Sequence, residues 1–204
     1  MRKNGIWTAV SLVGLAVLAT AQVKGDVTRT RIHADPAGGV VPTVGDAGSP
    51  MCFGDGTGAK CGAIIPGAPG HGCENSLATG GGLLQAHGMP KLSADSLELD
   101  ASGLPFSTTA IYMQGSKLAG SGAGYTFGDG VMCLAGSVRM IAAKRTSDGY
   151  TTFPVRGDAP VHIAAKVSML EPTQYYQVMY RDSVVLGRQD TYNLTNAWQV
   201  VWAP

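Results

Sequence analysis

A chain of 204 residues with 15 basic and 14 acidic side chains carries almost no net charge, and its Lys and Arg form no stripe, so nucleic acid is not an expected partner. Glycine fills 29 positions, about twice its usual share of ~7%, in clusters such as Gly80-Gly81-Gly82 that divide a chain into turns and short strands rather than helices. The length suffices for one domain with its own core and not for a second.

Arg2 and Lys3 precede an uncharged apolar run from Ile6 to Ala19 that closes on Ala19-Thr20-Ala21, the layout of a secretory signal peptide over residues 1–21. The run is shorter than the ~20 residues of a bilayer-spanning helix. Gln22 rather than Cys follows the expected cleavage point, so a lipid anchor is not expected. The mature chain, with 13 basic and 14 acidic residues, is then expected to be secreted, extracellular or at the cell surface, with no membrane span. Residues 22–50 hold Pro36, Gly38, Gly39, Pro42, Gly45, Gly48 and Pro50 with few large apolar side chains, the composition of a flexible leader. The packed domain is expected over 51–204.

Within it, apolar residues recur with period two, which sets alternate side chains on opposite faces of a strand. Leu97, Leu99 and Ala101 alternate with Ser96, Glu98 and Asp100. Val138, Met140 and Ala142 predict a second strand, and Val161, Ile163 and Ala165 a third. Tyr176, Val178 and Tyr180 predict a fourth over 175–181, with Tyr175, Gln177 and Arg181 facing out or toward a partner. The last segment, Thr191 to Trp202, sets Asn196, Trp198, Val200 and Trp202 on one face of a strand. A buried central strand fits that pattern, and so does one presenting Trp198 outward as a sugar-stacking platform; the core reading is preferred. Short strands separated by Gly, Pro, Asn and Asp predict an all-β antiparallel sandwich, jelly-roll or immunoglobulin-like, with no capped helical stripe.

After export Cys52, Cys61, Cys73 and Cys133 are expected to form two disulfides. Three pairings are open. Loop geometry favours Cys61 with Cys73, inside one Gly- and Pro-rich loop, and Cys52 with Cys133, because each neighbours a copy of the same tetrapeptide. A zinc site of Cys52, Cys61, His71 and Cys73 is the rival, but its spacings match no usual ligand pair. The tetrapeptide is Phe53-Gly54-Asp55-Gly56 and again Phe127-Gly128-Asp129-Gly130, a tight turn in which Phe anchors to the core. Calcium at Asp55 and Asp129 is a second reading, without an Asp-x-Asp-x-Asp-Gly loop to support it.

Cys52-Phe53-Gly54-Asp55-Gly56, Gly70-His71-Gly72-Cys73-Glu74-Asn75-Ser76, Ala101-Ser102-Gly103-Leu104-Pro105, Phe127 to Gly130 with Cys133, Tyr175-Tyr176-Gln177-Val178 and Asn193-Leu194-Thr195-Asn196 occur in order along 51–202. Together they resemble a group of uncharacterised exported β domains of environmental bacteria such as planctomycetes. The resemblance implies export and a β domain and brings no activity or site. Members of that group tend to carry six cysteines; a Cys-Pro-Cys is replaced here by Cys61-Gly62 and another Cys is missing near Gly187, which implies that the two lost cysteines were partners.

Motifs whose chemistry dictates spacing, such as the Gly-x-Ser-x-Gly elbow, the Gly-x-x-x-x-Gly-Lys phosphate loop and His-Glu-x-x-His, do not occur. His33 and His87 are read as solvated, as is His162 on a polar strand face, and His71 as a loop histidine beside Cys73. Glu98 and Asp100, two apart on one strand face, could suit glycosidase chemistry but are read as wet surface. The sequon Asn193-Leu194-Thr195 is read as part of a turn. The preferred functional reading is a non-catalytic extracellular module that binds glycan or protein at the cell surface, or serves a structural surface role, with Tyr112, Tyr125, Tyr150 and Trp198 as candidate ligand-binding aromatics. The alternative is a secreted polysaccharide-acting hydrolase using Asp55, Asp129 or Asp182. A cleft holding two carboxylates favours the second reading and a flat surface the first; the oligomeric state is left open.

Overall fold

The computed structural model describes residues 47–62, 65–182 and 192–204. The segments expected to be a signal peptide, 1–21, and most of a leader, 22–50, lie outside the described residues. The strands are Ser49–Met51 (β1), Leu83–His87 (β2), Glu98–Ser102 (β3), Thr109–Gly115 (β4), Lys117–Leu118 (β5), Tyr125–Phe127 (β6), Gly130–Met132 (β7), Leu134–Ala135 (β8), Arg139–Arg145 (β9), Thr151–Phe153 (β10), Thr173–Arg181 (β11), Tyr192–Leu194 (β12) and Ala197–Val201 (β13), with, among the described residues, one short α-helix, Val161–Ala165 (α1), and a 3-10 turn at Ala119–Gly122. All paired strands are antiparallel. The predicted all-β, disulfide-containing antiparallel sandwich is the observed class.

A six-stranded sheet runs β1-β13-β11-β4-β9, with β12 also on β11, and a three-stranded sheet runs β10-β3-β2. Period two explains their packing. Leu84, Ala86, Leu99, Ala101 and Phe153 from the small sheet meet Ala110, Tyr112, Tyr176, Val178, Tyr180, Trp198 and Val200 from the large one in one buried core. Asn196 ties the layers, because its side-chain oxygen accepts from Leu84 N–H at 2.7 Å while its NH2 donates to the Leu84 carbonyl at 3.1 Å. Both backbone groups of one β2 residue are thus satisfied by a side chain from the end of the chain.

Two ribbons, β5-β8 and β6-β7, form a cystine-bearing lobe against the other face of the large sheet. Its core is Cys52, Cys73, Val131, Cys133 and Ala197. The disulfides are Cys52–Cys133, with Cα atoms 5.9 Å apart and 81 residues of separation, and Cys61–Cys73, at 5.8 Å and 12 residues. This is the favoured pairing, and no described cysteine is free for zinc. Gln177 fastens the lobe: its oxygen accepts from Cys133 N–H at 3.0 Å, and its NH2 donates to the carbonyls of Val131 and Thr195 at 2.8 and 2.7 Å. Glycine is needed where two loops touch backbone to backbone. A Cβ on Gly72 would lie 1.9 Å from the Leu194 carbonyl oxygen, and one on Gly54 2.2 Å from Cys73 N.

Several expectations change. Val161–Ala165 is helix, not strand: Pro160 precedes it, Val161 and Ala165 are buried one turn apart, and Ile163 is exposed. The β9 strand exists, but Val138 and Met140 are exposed because β9 is the edge of its sheet. Gln177 is fully buried rather than outward, covered by the cystine lobe. The single strand expected from Thr191 to Trp202 is broken at Thr195 and Asn196 into β12 and β13. The end of the segment expected as leader is part of the packed domain: the Ala47 carbonyl accepts from the Trp198 indole at 2.8 Å, and Ser49 and Pro50 pair in β1.

Burial pushes the Tyr112, Tyr176 and Tyr180 hydroxyls above the ordinary tyrosine value of 10.0. The folded chain then keeps protons that the unfolded chain releases, so this stability is complete below pH 10.0 and is lost as pH climbs beyond it. In an alkaline titration, tyrosinate absorbance from these rings is expected to rise together with loss of the β circular-dichroism signal. Ionisation of all seven tyrosines with the fold intact would contradict this.

Candidate functional site

The outer face of the three-stranded sheet carries a polar cluster. In the β2–β3 register His87 lies opposite Glu98 and Gln85 opposite Asp100, and Thr152 of β10 lies on the other side of Asp100. These positions alternate with the core residues Leu84, Ala86, Leu99 and Ala101, so the core pattern itself sends them outward. His87 stands between two carboxylates, Nε2 3.2 Å from Glu98 and Nδ1 3.5 Å from Asp100. Tyr150 completes the group, its hydroxyl donating to Asp100 at 2.6 Å. Local sequence delivers Tyr150: Ser147 and Tyr150 bridge across Asp148-Gly149, both at positive φ, as in the tight hairpin turn favoured by Asp-Gly. Partial burial, together with the hydrogen bond to Asp100, raises the Tyr150 hydroxyl above its ordinary value and keeps it a neutral donor. Its ring remains 45% exposed.

A groove of about 340 Å³ has Asp95, Glu98, Arg156 and Asp158 in its wall. Its three carboxylates are engaged, Glu98 with His87. Asp95 accepts from Leu97 N–H and from both the backbone and the ring of His162, while Asp158 accepts from Lys144 and Val155 N–H. The Lys144 bond, then that of Val155, holds the Asp158 carboxyl below the usual range, the opposite of what a general acid requires.

At the end of the sandwich lies a second groove, of about 300 Å³, lined by Gln114, Arg139, Lys166, Leu170, Glu171 and Gln174 among others. A third, more apolar recess has Ile111, Met179 and Tyr192 in its wall, with the Arg181 guanidinium 5.7 Å from the Tyr192 ring centre.

Of the four candidate aromatics, two are not ligand platforms. Tyr112 and Trp198 are buried in the core, 1% and 0% exposed, because both lie on the inward face of the large sheet. Tyr125 is exposed on β6 of the cystine lobe and Tyr150 on the small sheet, so the structure does not gather the four. Phe127, expected to anchor its turn, is exposed at the β6–β7 hairpin.

The tetrapeptide turns are built by hydrogen bonds. Asp55 accepts from Thr57 N–H at 3.0 Å, from the Thr57 hydroxyl and from Gly70 N–H at 2.9 Å. Burial opposes its ionisation, but those three donors together outweigh burial and hold the carboxyl below its ordinary value. Asp129 donates its N–H to the Tyr192 carbonyl at 2.9 Å. The calcium reading of Asp55 and Asp129 gains nothing from this: Asp55 is spent on its turn, and among the described residues no group of three or more His, Cys, Asp and Glu could hold a metal ion.

Asp182 is also committed, accepting from the Ser76 N–H and hydroxyl. His71 meets the Gly81 carbonyl at 2.9 Å, and Asn193 of the sequon is buried, donating to the Cys73 and Glu74 carbonyls. Cross-strand register was the missing signal for the His87 cluster, since residues 87, 98, 100 and 150 are neighbours only after β2, β3 and β10 align.

Comparisons of the chain with protein-family models, curated proteins and solved structures find no match.

Proposed function

We propose that the chain is a non-catalytic extracellular module that binds glycan on the outer face of β2, β3 and β10. The observation that carries this reading is the exposed Tyr150 ring, fixed by its bond to Asp100 beside the His87–Glu98 pair. A sugar presents an apolar face of C–H groups and a rim of hydroxyls. The Tyr150 ring offers area for the first, and Glu98, Asp100, His87 and Gln85 offer acceptors and donors for the second.

Export is part of the proposal. Two disulfides are present, the chemistry of an oxidising compartment. Among the described residues no helix is long and apolar enough to cross a membrane. The resemblance to exported bacterial β domains supports the same placement.

A panel of soluble polysaccharides and cell-wall fractions, read by titration calorimetry, tests the reading. Tyr150→Ala is expected to weaken binding about tenfold through loss of ring contact, with little change in melting temperature because the ring is half exposed. Unchanged affinity in that variant refutes the assigned face.

A further inference from the structure

We infer a separate binding site in the recess on the outer face of the large sheet, for a small amphiphilic anion: a short aliphatic tail that ends in a carboxylate. It does not rest on the glycan face above. The recess, of about 220 Å³, has Thr109, Ile111, Met179, Arg181 and Tyr192 in its wall. Register explains why these five meet. Thr109 and Ile111 of β4 point away from the core that holds Ala110 and Tyr112, and so do Met179 and Arg181 of β11, which alternate with Val178 and Tyr180. Met179 lies opposite Ile111, and Arg181 opposite Tyr192 of β12.

The two ends of the recess differ in chemistry, two residues apart along the strands. At one end Ile111 and Met179 pack on the small apolar core of Met113, Met132, Leu134 and Leu194. Both stay half-buried, and Ala143, opposite Ile111 on β9, adds only a methyl group beside them. An aliphatic tail laid there removes apolar surface from water. At the other end are cations. Arg181 is exposed, its guanidinium 5.7 Å from the Tyr192 ring centre. Arg145 stands opposite Thr109 in the β4–β9 register, on the same face, and donates to the Ser107 hydroxyl at 3.0 Å. Thr109, itself exposed, thus lies between two arginines.

Charge selects the head group. Neither arginine forms an ion pair among the described residues, and β4, β9, β11 and β12 contain no Asp or Glu. Asp182, next in sequence to Arg181, is buried and bound by Ser76. A carboxylate on the Thr109 hydroxyl meets a guanidinium fork on either side, while its tail runs over Ile111 and Met179. An ammonium is repelled at that end, and a neutral alcohol gains only the apolar half. The volume lies below the usual ligand-pocket range of about 300–1,000 Å³, which suits one short tail rather than a folded partner.

The test is a methyl NMR titration of the protein with octanoate, octylammonium, octanol and acetate, each below its micelle concentration. Octanoate is expected to shift the Ile111 and Met179 methyl signals and to leave that of Met140, exposed outside the recess, in place. The other three are each expected to bind more weakly by about tenfold or more. Arg181→Gln, at an exposed position, is expected to weaken octanoate about tenfold with octanol unaffected and the melting temperature unchanged. Ile111→Thr is expected to weaken octanoate and octanol alike.

Tyr150→Ala is expected to leave octanoate binding as it is, which separates failure of this site from failure of the glycan face. Absence of shifts with octanoate, equal shifts at Met140, the alcohol or the ammonium binding as tightly, or full affinity in Arg181→Gln each overturns the proposal. So does protein that sediments with anionic phospholipid vesicles while octanoate leaves Ile111 and Met179 unshifted, which would make the face a membrane contact.

Discussion

Cys133→Ser is expected to lower stability by about 4 kcal/mol and Cys73→Ser by about 3 kcal/mol, because a bridge that closes 81 residues restricts the unfolded chain more than one that closes 12. The native lobe keeps that order. Both ends of the long bridge, Cys52 and Cys133, and one end of the short bridge, Cys73, lie in the small core that seats the lobe on the large sheet, and Gln177 receives the Cys133 N–H there. Losing the long bridge loosens the lobe and exposes the acceptor chemistry of a fully buried amide. The short bridge joins two parts of one loop, whose backbone is also held by Gly54 N–H on the His71 carbonyl and Gly72 N–H on that of Gly82. Urea denaturation of the two variants under oxidising conditions gives the order directly. A larger loss in Cys73→Ser contradicts the assignment of the long bridge as the main covalent support.

Tyr176→Ala is expected to cost about 3 to 5 kcal/mol, the range for removing a large aromatic from a packed core. The ring is fully buried, is paired across β11–β13 with Trp198, and accepts at its hydroxyl from the Trp202 indole at 3.1 Å. Tyr175, one residue earlier, points to the other face and is only half buried. Tyr175→Ala is expected to cost about 1 kcal/mol, near the centre of ordinary substitutions. Thermal melts of the two variants give the comparison, and equal losses would mean that β11 does not divide its faces as described.

Legibility followed the strength of the local pattern. Leu97, Leu99 and Ala101 alternate with polar neighbours and are buried, as are Tyr176, Val178 and Tyr180. In both segments one face is wholly apolar, which leaves no second register. Val161, Ile163 and Ala165 alternate too, yet Val161 and Ala165 are also one helical turn apart. Five residues cannot separate period two from period 3.6, and Pro160 ahead of them was the informative signal.

Gln177 misled for another reason. A polar residue in a strand reads as outward until the groups that satisfy it are known, and here those groups lie 18 to 46 residues away. The site was legible only as parts. Tyr150 and the Glu98/Asp100 pair were visible as residue types, while the role of His87 waited on the β2–β3 register. Tyr112 and Trp198 had the right chemistry for a sugar platform but sit on the inward phase of their strands. The recess over Ile111 and Met179 left no mark in the sequence, because it forms where β4 and β11 run side by side.

The most direct measurement of the central claim is an amide NMR titration of the protein with the polysaccharide fragment that binds tightest in the panel. Shift changes centred on Gln85, His87, Glu98, Asp100, Tyr150 and Thr152, with the saccharide recovered uncleaved, are the result the account predicts. Changes centred elsewhere, no changes at saturating saccharide, or the appearance of shorter saccharides would contradict it.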